Sequence, residues 1–99
     1  MTKLVEIVVK VRSKNAGPFW LTIDIFCGSA EAFTRVSSGL ATGMVATAFK
    51  IEQQMIKRFE LEELHVIKFS LPRPYVQGTL ADRDMHGASY STLLNDIEI

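Results

Sequence analysis

The sequence predicts an α+β fold in two layers: a four-stranded, mainly antiparallel sheet with helices on one face. Four segments alternate apolar and polar residues with the period of a strand, and two further segments carry the spacing of helices. Each strand segment has one consistently apolar side, so one face of the sheet needs a cover and the other does not.

Residues 3–12 form the first alternating run, with Val5, Ile7, Val9 and Val11 on one side and Glu6, Lys10 and Arg12 on the other. The stretch VRSKNAGPFW follows, and residues 12–17 are read as a short connection bearing the Asn, Gly and Pro that turns favour. Residues 19–26 are the second strand, with Phe19, Leu21, Ile23 and Ile25 opposed to Trp20, Thr22, Asp24 and Phe26. A connection this short joins the two as an antiparallel hairpin.

Periodicity then becomes helical. Ser29 caps a helix over residues 30–37, with Glu31 in its first turn near the positive end of the helix dipole and Gly39 near its stop. A second helix runs over residues 42–52, where Leu40, Met44, Ala48 and Val45, Phe49 recur every four positions and Thr42 is the expected cap. Residues 55–61 return to an extended pattern with Phe59 and Leu61 on one side. Residues 65–71 do so with Ile67, Phe69 and Leu71 opposed to Val66, Lys68 and Ser70. The prolines of PRPYVQG exclude helix there. A last short helix is expected at 90–95, anchored by Leu93 and Leu94.

The expected core combines Val5, Ile7, Val9, Leu21, Ile23, Ile25, Met44, Phe49, Phe59, Ile67 and Phe69. Left on the open face are Glu6, Lys10, Arg12, Trp20, Thr22, Asp24 and Phe26, an unusual set for a surface that only meets water.

Composition limits what such a chain does. Its 99 residues fit one domain spanning 1–99, and eleven basic residues balance eleven acidic ones. With no net field to hold a polyanion or an anionic bilayer, neither nucleic acid nor membrane is an expected partner. The single cysteine, Cys27, forms no internal disulfide and suits a reducing cytoplasm, and no His/Cys spacing of the zinc type occurs. No metal or cofactor is expected. The N-terminus lacks the unbroken apolar core of a secretory signal.

Three constellations offer chemistry. Arg12, Ser13, Lys14 and Asn15 supply donors for a carboxylate or phosphate, with Arg12 giving the bidentate fork; the plainer reading is a solvated turn. Asp82, Asp84 and His86 alternate in DRDMHG, so they share one side of an extended segment and suit acid/base work, unless Asp84 merely caps the last helix. Arg73, held between two prolines, is expected to reach the same rim as Arg12 and present its charge there with little entropy lost; the alternative is an edge strand that ends at proline. Trp20 and Phe26 are the candidates for burial against another chain.

The stretches RSKNAGPFWLTIDIF, HVIKFSLPRPYVQG and DRDMHG, with the ending LLNDIEI, resemble the short bacterial proteins of domain-of-unknown-function family 4387. More distantly, the RS stretch after the first strand, the strand ending LPR and the LL-containing C-terminus are similar to the C-terminal ferredoxin-like domain of the acyclic terpene utilisation (AtuA-like) family. The resemblance implies a circularly permuted ferredoxin-like sandwich. It further implies a small subunit or accessory domain of a metabolic enzyme complex that partners an AtuA-like large subunit and acts on a carboxylate or acyl-thioester metabolite. Two other readings stand beside it: a self-sufficient small lyase or isomerase working as a homo-oligomer, and a non-catalytic ligand-binding module.

Overall fold

The structure is a computed structural model that describes residues 2–73, 90 and 92–99. Its elements are α1 (Leu4–Ile7), β1 (Lys10–Asn15), β2 (Trp20–Phe26), α2 (Ala30–Gly39), α3 (Thr42–Phe49), β3 (Lys57–Leu61), β4 (Val66–Pro72) and α4 (Thr92–Asn95), with single 3-10 turns at Gln53–Met55 and Glu62–Leu64. The strands form one antiparallel sheet in the order β1-β2-β4-β3. With the crossover through α2 and α3 between β2 and β3, this is the strand order of a ferredoxin-like two-layer sandwich begun one strand early, as the sequence predicts.

The register explains the layers. Leu21, Ile23 and Ile25 of β2 stand opposite Leu71, Phe69 and Ile67 of β4, and all six are fully buried. Phe33 and Val36 of α2, Val45, Ala46 and Phe49 of α3, Leu94 of α4 and Leu4 of α1 join them in one cluster, so the helices cover one face only. Burying a side chain of this size stabilises by roughly 1.5–3 kcal/mol.

Ser29 caps α2 as predicted, its hydroxyl accepting from the Ala32 N–H at 3.1 Å. The helix runs on to Gly39 rather than ending at 37. The cap of α3 is Ala41, not Thr42, which lies inside the first turn. That helix stops at Phe49 because Lys50 turns left-handed, at φ 58°, and its N–H closes onto the Ala46 and Thr47 carbonyls. At the C-terminal helix, Leu94 is buried while Leu93 is about half exposed, so one leucine anchors the turn and not both.

Two expectations about the sheet are overturned. Residues 3–12 are not one strand: residues 4–7 are a helical turn, and the strand begins at Lys10. Leu4 and Val8, four apart, are buried there, whereas Val5 and Val9 are exposed, Ile7 only packs against the core edge, and Glu6 lies on the turn instead of the open sheet face. The cause is the other end of the chain. Backbone bonds from Leu4 N–H to the Ile97 carbonyl (2.7 Å) and reciprocally between Thr2 and Ile99 tie this stretch to the C-terminal residues. The second correction is Phe59, which is 47% exposed. Strand β3 pairs with β4 so that Arg58 faces Phe69 and Phe59 faces Lys68, which puts the arginine on the helix side and the phenylalanine on the open side.

Arg58 is kept there by the C-terminal end of α2. Its guanidinium donates to the carbonyls of Leu40 (2.5 Å) and Ser37 (2.9 Å), approaches the Thr42 hydroxyl at 3.4 Å, pairs with Glu60 at 2.9 Å, and lies 5.5 Å from the centre of the Phe69 ring. Carbonyls at a helix C-terminus lack internal partners and carry the negative end of its dipole, so a cation meets both needs.

Phe69→Ala is expected to lower stability by about 3–5 kcal/mol in chemical denaturation, through lost burial and the cavity left behind. Arg58→Met keeps the stem and removes the charge. It is expected to cost about 1.5–3 kcal/mol, against under about 1 kcal/mol for Glu60→Gln, and an equal effect of the two would deny the arginine its role at the helix end.

Candidate functional site

The donor-rich stretch is mostly strand. Residues 10–15 pair along their length with β2, and the connection is only residues 16–19, closed by the Ala16 N–H on the Trp20 carbonyl at 2.9 Å. Gly17 takes φ +92°, a conformation glycine adopts without strain. Alternation therefore divides the candidate residues. Arg12 and Lys14 stand on the open face and are exposed, while Ser13 is 7% exposed and Asn15 half-buried on the helix side. The four do not form one concave loop.

What the register assembles instead is a surface. Lys10 pairs with Phe26 and Phe26 with Val66, with Leu61 beyond; Arg12 with Asp24, Asp24 with Lys68, with Phe59 beyond; Lys14 with Thr22, Thr22 with Ser70, with Lys57 beyond. Trp20 and Pro72 close one end. Trp20 is 39% exposed, Phe59 and Leu61 are similarly open, and Phe26 is half-buried with the Lys10 ammonium 5.1 Å from its ring centre. The Thr22 hydroxyl donates to the Lys14 carbonyl at 3.5 Å. Among the described residues, five cations, Lys10, Arg12, Lys14, Lys57 and Lys68, thus share this face with one carboxylate, Asp24. Such a surface attracts an anionic group and offers aromatic area beside it.

Arg73 does not join them. It is 7% exposed, its N–H donates to the Phe19 carbonyl at 2.9 Å, and its guanidinium lies 5.4 Å from the centre of the Tyr90 ring, which contacts Phe49 in turn. Since Pro72 faces Trp20 on the open side, the next residue points to the helix side, away from Arg12. Asp82, Asp84 and His86 lie outside the described residues. Among the described residues no group of three or more His, Cys, Asp or Glu side chains is placed to hold a metal ion. No helix among them is long and apolar enough to cross a membrane.

Phe59, Lys57 and Lys68 were not read as part of a site. The alternation that set Lys68 opposite Ile67 and Phe69 already marked it as outward. The phase of β3 carried no such signal, because Phe59 and Leu61 look like core until Arg58 is given a reason to face the helices.

Gly28, at φ +87°, ends β2, and a Cβ there would come within 2.4 Å of the Val9 side chain. The backbone can turn off the sheet at this point only with glycine. Cys27 just before it is buried, and burial pushes its thiol above the ordinary value.

Among known families, the model described as domain of unknown function (DUF4387) matches residues 4–98. No curated protein and no solved structure matches the chain.

Because the Cys27 thiol is favoured in the neutral form when folded, its contribution to stability is complete below the unfolded thiol's pKa and is lost as pH rises through the raised folded value. Alkylation by iodoacetamide at pH 8 is expected to proceed only on unfolding, and Cys27→Ala should flatten the alkaline fall in stability. Rapid labelling of the native chain would contradict this.

Proposed function

The chain belongs to the DUF4387 family, and on that premise we propose that it is a small subunit or accessory domain of a metabolic enzyme complex. In this reading it partners an AtuA-like larger chain in the cytoplasm and helps act on a carboxylate or acyl-thioester metabolite. One observation supports the reading above others: five cations share the sheet face opposite the helices with the rings of Trp20, Phe26 and Phe59. A surface of that kind works by contact, and its chemistry is that of holding an anionic group, not of transferring a proton or attacking a bond.

The roles divide by position. Arg12, exposed at the β1 edge, brings a rigid fork that holds a carboxylate or phosphate through two parallel bonds. Lys14, two residues on and roughly 6.6 Å away along the strand, adds a second positive charge. Trp20 and Phe26 offer apolar area at either end of β2. Asp84 and His86 stay as candidates for any catalytic share that this chain contributes.

Arg12→Ala removes an exposed charge that has no part in the buried cluster, so folding is expected to change by no more than about 0.5 kcal/mol. Binding to the larger chain or to the metabolite is expected to weaken by about 1.5–3 kcal/mol. Thermal unfolding beside calorimetric titration decides: a variant that unfolds early yet binds as well as the parent makes the arginine structural.

A further inference from the structure

Resting on the accessory-subunit reading, we propose that the open sheet face, and not the helix layer, is the surface that meets the larger chain, and that the matching surface of that chain is acidic beside an apolar patch.

The argument starts from where the apolar and charged groups lie. None of the large hydrophobic residues left exposed belongs to α2 or α3, whose outward residues are small or polar, and only Val5 and Leu93 among them belong to the helical turns α1 and α4. Trp20, Phe59 and Leu61 are exposed on the sheet face instead. The register brings Phe26, Val66 and Leu61 into one row with Phe59 beside it, an apolar corner flanked by Lys10 and Arg12 on the β1 side and Lys57 on the β3 side. Exposed apolar area bordered by charged residues is the anatomy of a protein contact. Among the described residues the one carboxylate on this face is Asp24, set between Arg12 and Lys68, so among them the outer cations have no acidic neighbour within this surface.

Charge decides among the occupants. A second copy docking face to face would set the same five cations against themselves, since a two-fold contact opposes a patch to itself. A single-stranded nucleic acid needs rings in succession for its bases. Here Trp20 and Phe26 lie at opposite ends of β2, about 20 Å apart, the Phe26 ring is already covered by Lys10, and the remaining area is largely aliphatic. An acidic protein surface with an apolar patch of its own satisfies both the cations and the apolar corner.

The test uses the whole chain and an AtuA-like chain of the same genome, co-expressed and purified. Trp20 is the only tryptophan of the small chain, so variants of the larger chain without tryptophan let its emission report burial of this face. Docking is expected to shift that emission to the blue. The double variant Arg12→Glu, Lys14→Glu is expected to weaken the complex about 100-fold at low salt, and raising the salt should weaken the parent complex more than the variant's. Arg35→Glu with Lys50→Glu makes the same change in net charge away from the sheet face and is expected to weaken it less than about 3-fold. Circular dichroism melting checks that both doubles fold, and Lys57→Glu repeats the test from the opposite edge. If the parent chain forms no complex, the accessory-subunit reading itself falls. If the complex forms but ignores Arg12, Lys14 and Lys57, only the choice of face falls. A blue shift as the small chain alone is concentrated, or on adding oligothymidylate, would overturn the proposal in favour of a second copy or a nucleic acid.

Discussion

The pairing of β2 with β4 at the centre of the sheet is the constraint on which the other elements depend. Leu21, Ile23 and Ile25 against Leu71, Phe69 and Ile67 is a register that makes one face apolar along its length. A slip of one residue would expose all three pairs and bury Asp24 and Lys68 in their place, at a cost no packing on the helix side could offset. With that register set, α2, α3 and α4 have one apolar surface to cover. The other face is left to Trp20, Thr22, Asp24 and Phe26 with their partners from the neighbouring strands.

The edges of the sheet are managed differently. At the β1 edge the inward positions are taken by Val11, Ser13 and Asn15, and the outward ones by three cations, which suit an edge that does not invite another strand. At the β3 edge an arginine faces the helices. Arg58 there links the sheet to the helix layer: it touches the ring of Phe69, the carbonyls at the end of α2, and Glu60, whose other oxygen accepts from the Ser37 hydroxyl at 2.8 Å. The same arrangement that ties the crossover down turns Phe59 outward, so one structural choice on the helix side exposes an aromatic ring on the other.

Charge shows why a bulk quantity misleads. Eleven basic and eleven acidic residues cancel over the chain, yet among the described residues the strands set five cations and one carboxylate on a single face. Association responds to the local field, not to the sum. Together with exposed aromatic and aliphatic area on that face, this sorting is what favours contact with an acidic partner over a wholly internal chemistry.

What the sequence by itself determined follows from local period and local bonding. The alternation of residues 19–26 and 65–71 set the sides of β2 and β4, Ser29 set the start of α2, and the apolar stripe of α3 set its buried face. The same alternation placed Trp20 and Phe26 on the open face. Tertiary structure decided the rest. LVEIVVKV reads equally as a strand or as a turn with Leu4 and Val8 on one side, and bonds to residues 97 and 99 chose the turn and moved the first strand into the stretch that looked like a loop. The phase of β3 was likewise open, because apolar Phe59 and Leu61 compete with Arg58 and Glu60 for the inward side. The carbonyls at the end of α2, more than eighteen residues back in the chain from Arg58 in the case of Ser37, settled it. The side on which Arg73 lies also depended on the register with Trp20, which no short window of sequence contains.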